Sequence, residues 1–280
     1  MTFNLPGAVE SRAETEAVLP FLKWAGGKRW LAKALKDIIG PIEGRYIEPF
    51  LGSAAIFFSI KPDIALLSDC NSELVATYRA LQIQHAAVER HLIEHQKLHC
   101  KDYYYHVREN IPAGFAEKAA RFIYLNRTCW NGLYRVNLRG EFNVPIGTKT
   151  TVVLDSDNFS ETASTLQSAT LKVSDFEHAI SIAGSGDVVF CDPPYTVRHK
   201  NNGFVKYNED LFTWSDQIRL RDVLLQARER GARIYVTNAD HSSVRDLYSR
   251  DFSLTEYERY SPIGGAKAIR GKYSELLISG

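Results

Sequence analysis

Short apolar runs closed by polar or acidic residues occur in two separated parts of the chain, with a long stretch of helical spacing between them. Residues 46–50, YIEPF, form a short strand that ends in a glycine-containing turn at 52–55, GSAA, before the apolar run IFF at 56–58. Residues 64–69, IALLSD, read as a second buried strand with an acid at its C-terminal end. Asn71 or Ser72 can cap the helix that follows, which runs through Leu74, Tyr78 and Leu81. Helical spacing continues to about residue 125, and at 131–147 the texture changes to Gly, Asn and Pro, as in a long loop or hairpin. Strand character returns at 187–191, DVVFC, which runs into Asp192, Pro193, Pro194 and Tyr195. A helix over about 215–230 is ended by Gly231, a further buried strand covers 232–238, and the tail 274–278 reads as an edge strand. Strands alternating with helices imply a parallel sheet with ligands at the carboxyl ends of its strands. The chain carries no internal repeat and no low-complexity segment.

At 280 residues the chain suits one large domain with an insertion, or two domains. Hydrophobic residues at 45% and charged residues at 24% exclude a disordered or collagen-like chain. No run approaches the roughly 18 apolar residues of a membrane span, and the N-terminus lacks a basic region followed by an apolar core. Cys70, Cys100, Cys129 and Cys191 form no C-x-x-C pair, against a disulfide scaffold or a thiolate zinc site. The reading is a soluble cytosolic protein. Net charge is only +1, yet residues 118–149 hold Lys118, Arg121, Arg127, Arg135, Arg139 and Lys149 against the single acid Glu141. Such a stripe is either the footprint of a phosphate backbone or a solvated face. His91, His95 and His99, with Cys100 and His106 nearby, have the spacing of one helical face that could bind zinc. With no carboxylate ligand nearby, a packed or solvated face is the better reading, and no metal is expected.

The residues with the most chemical content are Asp192, Pro193, Pro194 and Tyr195. Two prolines force a turn and donate no hydrogen bond, so this strand tip presents acceptors, the Asp192 carboxylate and the Pro193 carbonyl, beside an aromatic face. That combination suits an exocyclic amine on a planar base: both amine hydrogens are held, the ring is stacked and the lone pair turns outward. The segment FLKWAGGK at 21–28 invites a phosphate-loop reading, but Lys23 and Arg29 stand where that motif needs Gly and Ser or Thr. A Gly-Gly turn backed by Lys28 could instead receive a carboxylate and let backbone approach a ligand closely. The turn at Gly52 and the acid Asp69 sit as a nucleotide-type cofactor would need, and the lack of G-x-G-x-x-G disfavours a dinucleotide.

Taken in order, KWAGGK, EPFLGSAA, LSDCNSEL, YLNRTCWNGLYRVNLRGEFNVPIG and DPPY resemble the Dam-type DNA adenine-N6 methyltransferases, and the likeness runs from about residue 21 to 278. The resemblance implies an α/β, Rossmann-like S-adenosylmethionine-dependent methyltransferase domain (residues 1–74 and 160–280) interrupted by a mainly helical DNA-recognition domain (75–159). It implies that Trp24, Lys28, Gly52, Asp69, Asp175 and Asp192 bind the cofactor, and that Asp192, Pro193, Pro194 and Tyr195 carry catalysis. Lys23, Arg127, Trp130, Asn131, Leu133, Arg135, Asn137, Arg139 and Pro145 would face double-stranded DNA, with Arg135 reading a guanine of GATC or another GAT-containing site. Arg198, His199 and Lys200, with Gly203, would order over DNA or a flipped base. The implied setting is a bacterial or phage-encoded monomer, with a cognate restriction endonuclease as a functional partner. Three departures stand out: Ala54 replaces a glycine of the first turn, Thr148 and Lys149 replace an Arg-Tyr pair, and Trp130 replaces a more common tyrosine. Residues 1–20 have no assigned role. Methylation of cytosine N4 or another exocyclic amine, or a catalytically inactive DNA-binding homologue, remain as alternatives.

Overall fold

Among the described residues, seven strands form one sheet in the order β3-β2-β1-β4-β5-β7-β6. They are β1 (Tyr46–Glu48), β2 (Ala65–Asp69), β3 (Ala169–Val173), β4 (Val188–Cys191), β5 (Arg233–Ala239), β6 (Ser253–Tyr260) and β7 (Lys272–Ser279). The first five pair in parallel, and β7 runs antiparallel to both β5 and β6. The computed structural model describes residues 18–137, 139–196, 212–260 and 272–280. This is a mixed α/β architecture consistent with S-adenosylmethionine-dependent methyltransferases.

The central strands are apolar because both faces are covered. Side chains of a strand alternate between faces, and here successive residues enter different cores. Tyr46, Leu67, Val188 and Phe190 belong to one core, whereas Ile47, Leu66, Val189 and Cys191 belong to the other. Helices α1 (Ala32–Ile39), α2 (Ala55–Ile60), α3 (Ser72–Leu98), α4 (Lys101–Glu109), α5 (Phe115–Thr128) and α6 (Phe159–Leu166) contribute to the first core. Helices α7 (Phe176–Ser181), α8 (Trp214–Glu229) and α9 (Ser242–Tyr248) contribute to the second.

The tail expected as an edge strand is not at the edge. β7 lies between β5 and β6, with Thr237 opposite Leu277 on one side and Thr255 opposite Leu277 on the other. Its Leu276, Leu277 and Ile278 are buried accordingly. The edge is β6, whose polar sequence SLTEYERY gave no buried-strand signal.

Between β2 and β3 the chain makes α3 to α6. Asn71 caps α3 by accepting from the Leu74 amide, as the sequence predicts. The boundary expected between residues 74 and 75 falls inside the first turn of this helix. Tyr78, Arg79 and Gln82 tie its first half to Gly52, Leu171, Leu166 and Ala169 carbonyls near the sheet. A break in helical geometry at Gln84 (φ −140°, ψ 32°) precedes the second half. There His95 stacks on Tyr124 of α5 and bonds the Tyr103 hydroxyl, and His99 bonds the Tyr124 hydroxyl. Burial, with His91 and Arg121 nearby, holds His95 down at about 4. The histidine face is packed against aromatics.

After α5 a short 3-10 turn (Trp130–Gly132) leads into a hairpin closed by bridges between Cys129 and Ile146 and between Val136 and Phe142. Two members of the basic stripe are not on its surface. Arg121 is buried and donates to the carbonyls of Val107 and Arg108. Arg127 is also buried; its guanidinium forks onto both oxygens of Asp157 at 2.6 and 2.7 Å and bonds the carbonyls of Phe21 and Val152. The expectation that Arg127 faces DNA is therefore corrected: its donors are used inside the fold, clamping the first motif to α5. Lys118, Arg135, Arg139 and Lys149 stay exposed. Among the described residues no helix is long and apolar enough to cross a membrane.

Candidate active site

The order of the sheet reverses between β1 and β4, and at such a switch point the two connecting segments leave on opposite sides and open a crevice at the strands' carboxyl ends. Four acids collect there. Asp192 follows β4 directly, Glu48 ends β1, Asp69 ends β2, and Glu275 on the antiparallel β7 joins them from beyond β5.

Lys28 lies at the centre of this group. It is 3% exposed, and its Nζ stands 2.8 Å from Asp192 Oδ1, 3.0 Å from Asp192 Oδ2 and 3.6 Å from Glu275 Oε2. It also donates to the Gly26 carbonyl and lies 5.0 Å from the centre of the Tyr195 ring. The Gly26-Gly27 turn makes this possible: Gly26 has φ +80°, and a Cβ at Gly27 would crowd the Trp24 carbonyl at 3.2 Å and Ser53 Oγ at 3.3 Å. The Gly-Gly-Lys segment thus delivers a cation to a carboxylate.

Asp192 takes a second bond from Thr237 Oγ1 of β5 at 2.7 Å. Burial pushes its carboxyl above the ordinary range, and the Lys28 ammonium and the Thr237 hydroxyl oppose that push. Tyr195 donates its hydroxyl to Glu275 Oε2 at 3.0 Å. Pro193 is buried, with Pro194 and Tyr195 half-buried. Glu48 is buried, accepts the Tyr46 hydroxyl at 2.9 Å, and is pushed up to about 8 by burial, with Asp192 adding to the shift.

The second half of the site lines the turn after β1. Gly52 has φ +44°, and a Cβ there would meet Trp24 Cδ1 at 3.0 Å. The Gly52 amide donates to Asp69 Oδ2 at 3.4 Å and the Asn71 amide to Asp69 Oδ1 at 2.9 Å. Burial raises the Asp69 carboxyl, and these amides oppose the rise. Ala54 adopts φ +52°, keeping the left-handed turn despite its Cβ. Asp175 caps α7 through the Glu177 amide and pairs with Arg219, whose guanidinium stacks on Phe176. Phe50, Phe176 and Phe212 form an aromatic group beside it.

Trp24 bridges to the hairpin, stacking on Tyr134 and Phe122. Beside it, Asn126 of α5 clasps the Lys23 backbone, accepting from its amide at 2.9 Å and donating to its carbonyl at 2.8 Å. The Lys23 side chain is exposed and packs on Gly132, where a Cβ would come within 3.0 Å of three of its carbons. Asn131 (φ +56°) and Gly132 (φ +65°) turn the chain so that Trp130 stands 53% exposed. Arg135 is exposed and bonds Asn143 across the hairpin at 2.8 Å. Asn137 organises the hairpin tip by bonding Arg139 and Glu141 amides and the Glu141 carboxylate. Arg139 and Pro145 are exposed, and Leu133 is half-buried against the core. Arg198, His199, Lys200 and Gly203 lie outside the described residues.

Thus Lys28, Asp192, Pro193, Tyr195, Gly52, Trp24 and Asp69 come together at one end of the sheet, and the hairpin residues project from a separate element joined to it through Trp24 and Lys23. Thr237 and Glu275 are participants that motif reading passed over, and Glu48 and Asn126 stood within the quoted motifs without a role of their own. Their signal was a polar residue inside an otherwise buried strand or helix, as with Thr237 and Asn238 at the carboxyl end of β5. Among the described residues no group of three or more His, Cys, Asp or Glu side chains could hold a metal ion.

A sequence profile of the D12 class N6 adenine-specific DNA methyltransferases matches residues 24–262. The chain is 33% identical to the Type II methyltransferase M1.LlaDCHI of Lactococcus lactis subsp. cremoris, over 93% of this chain and 94% of that protein. It is 32% identical to the Type II methyltransferase M.MjaIII of Methanocaldococcus jannaschii over 87% and 89% of the two chains. It is equally 32% identical to the DNA adenine methylase of Serratia marcescens, over 92% and 96%. The family implies a DNA substrate and, in general, S-adenosylmethionine as methyl donor. With that profile matched over residues 24–262 and 33% identity to a relative over nine-tenths of both chains, the chain belongs to the D12 class N6 adenine-specific DNA methyltransferase family.

Proposed function

We propose that the protein transfers a methyl group from S-adenosylmethionine to N6 of an adenine flipped out of double-stranded DNA, within GATC or another GAT-containing site. The observation that carries this reading is the Asp192 carboxylate, held by Lys28 at 2.8 Å and Thr237 at 2.7 Å, directly before two prolines and Tyr195. Such a tip holds acceptors rigidly beside an aromatic face.

The residues present fit the donor. S-adenosylmethionine supplies an electrophilic methyl on a sulfonium centre. Around the crevice the carboxylates of Asp192, Glu275 and Asp69 outnumber the buried cation Lys28, which suits a positively charged ligand. Gly52 leaves the wall beside Trp24 open where a Cβ would close it. Asp69 would take the ribose hydroxyls, and Asp175 with the Phe50–Phe176 pair would lie toward the adenine of the donor.

The target adenine must leave the stack before its amine is reachable, at a cost of a few kcal/mol. Exposed Trp130 would fill the vacated space, while Lys23, Arg139 and Lys149 offset the cost through phosphate contacts. Asp192 and the Pro193 carbonyl accept the two N6 hydrogens, and Tyr195 stacks on the ring. With the donor bound, the N6 lone pair so directed would take the methyl group as the S–C bond broke and its electron pair stayed on sulfur. The extra proton on N6 leaves by way of the Asp192 carboxylate to water. Positioning and fixed electrostatics carry the rate, and no covalent protein intermediate is required. Cys191 is fully buried in β4 and takes no part.

In this reading the sheet and its flanking helices form the catalytic part, near 1–74 and 160–280, and the helices and hairpin within 75–159 carry DNA recognition. Arg135 would read guanine through its exposed fork. The test is digestion of DNA to nucleosides after incubation with labelled donor: label in N6-methyladenine is the expected outcome, and label in N4-methylcytosine or none overturns it.

A further inference from the structure

Tyr195 is the last residue of the acid-proline-aromatic tip and belongs to no strand or helix, so the direction of its ring depends on what holds its far end. That end meets Glu275, which lies on a different element, β7, 80 residues later in the chain. Glu275 is 6% exposed, and burying a carboxylate at that depth is costly unless it is paired. Here one oxygen, Oε2, serves two partners: it accepts the Tyr195 hydroxyl at 3.0 Å and stands 3.6 Å from Lys28 Nζ. Lys28 in turn holds both oxygens of Asp192 and lies over the Tyr195 ring.

We infer that Glu275 is a positioning residue for methyl transfer, fixing the Tyr195 ring and, through Lys28, the Asp192 carboxylate in one rigid arrangement. The inference rests on the reading of Asp192 and Tyr195 as the residues that grip the flipped base. The physical reason is reach. The prolines set the direction of the chain at 193 and 194 but not the torsions of the tyrosine side chain. A hydrogen bond at the phenol oxygen fixes the ring at the end opposite its Cα, and the Lys28 ammonium at its face limits rotation about its long axis. β7 pairs with β5, whose Thr237 bonds Asp192. Acid and aromatic are therefore referred to the same two hydrogen-bonded strands.

The test compares the native full chain with Glu275→Ala, Glu275→Gln, Tyr195→Phe and the double variant Tyr195→Phe/Glu275→Ala. Turnover on DNA is referred to donor-binding sites counted by calorimetry, so that loss of folded protein does not count as loss of rate. Glu275→Ala and Tyr195→Phe should each lower kcat about 10- to 100-fold, as expected for small displacements of reacting groups, with donor Kd within about threefold of native. Glu275→Gln should retain more activity than Glu275→Ala, because its amide oxygen still accepts the Tyr195 hydroxyl. The double variant should be no slower, within about threefold, than the slower single, because the two side chains act as one unit. Should Glu275→Ala not fold, the Glu275→Gln and Tyr195→Phe pair with their double carries the same comparison. Native kcat in Glu275→Ala, or losses that multiply in the double variant, overturn the positioning role alone. Absence of adenine methylation by the native chain overturns the underlying function and the positioning role with it.

Discussion

Lys28 and Asp192 stand 164 residues apart in the chain and 2.8 Å apart in the fold, with the Lys28 side chain 2% exposed. This contact joins the first motif to the last and brings a loop before the sheet to the tip of its fourth strand. It also neutralises part of a cluster that would otherwise hold only carboxyls, since Glu275 meets the same ammonium.

Lys28→Met should therefore be costly in a pH-dependent way. Breaking a buried ion pair by removing one partner costs about 3–5 kcal/mol. Burial already raises the Asp192 carboxyl, and without the ammonium one of the two groups that oppose the rise is gone. The protonated form of Asp192 is then favoured further by folding, so the variant should be closest to native stability at low pH and lose ground as pH rises. Urea unfolding at pH 5 and pH 8 checks this, with the larger deficit expected at pH 8.

Glu48 offers a second pH test with the opposite outcome for stability. Its folded-state value is pushed up to about 8 by burial, from an ordinary value of 4.5. The proton it holds contributes stability that is fully present below 4.5 and is lost as pH rises through about 8. Glu48→Gln mimics the protonated acid at every pH and can still accept the Tyr46 hydroxyl. It should match the native chain near pH 4.5 and exceed it by up to about a few kcal/mol at pH 8 and above. Denaturant titrations of both proteins across that range give the comparison.

Arg127 separates a structural from a nucleic-acid role. Its fork fills the gap between Asp157, Val152 and Phe21, so Arg127→Ala should lower stability by about 3–5 kcal/mol without DNA present. Arg127→Lys should recover little of this, because one ammonium cannot reproduce the bidentate contact. Differential scanning calorimetry reads the loss directly. The salt dependence of DNA binding by the folded fraction should stay at the native slope, whereas a phosphate contact would reduce it by about one.

Arg135 is the exposed counterpart. Its Nε donates to Asn143 Oδ1 at 2.8 Å and its Nη2 reaches the Asn143 carbonyl at 3.5 Å, on an exposed position of the hairpin. Arg135→Ala should cost about 1–3 kcal/mol of discrimination at one base pair, seen as relaxed preference among single-substituted sites. An equal loss on every site variant would assign it to phosphate instead.

The parts of this architecture that could be read from sequence are those where a local pattern decides. Within residues 46–50, 64–69 and 187–191, positions 46–48, 65–68 and 188–191 are buried whichever face they point to, so their apolar runs mark strands directly. Asn71 as a cap and Gly231 as a stop after α8 follow from backbone preferences. β6 and β7 were harder because they are set by pairing. β6 is half polar and gains its ladder from β7, and β7 takes an interior place only because β6 covers it. The motif acids were legible as acids at strand ends, but Glu275 was not, since only antiparallel insertion of β7 beside β5 brings it to Lys28. Arg127 misled for the converse reason: a basic side chain among basic neighbours reads as surface until Asp157, 30 residues later, is seen to receive it. Ala54 departs from glycine yet keeps φ +52°, with its amide bonded to the Leu51 carbonyl, so the turn geometry is held by its surroundings.

The most direct measurement is made on Asp192. Native protein and Asp192→Ala are incubated with labelled S-adenosylmethionine and duplex DNA containing GATC, and the DNA is digested and analysed by nucleoside mass spectrometry. With the Asp192 carboxylate as the acceptor that holds the amine, the native chain places label on adenine N6. The variant places none, while retaining part of its DNA affinity. Native-level N6-methyladenine from Asp192→Ala would contradict that role outright.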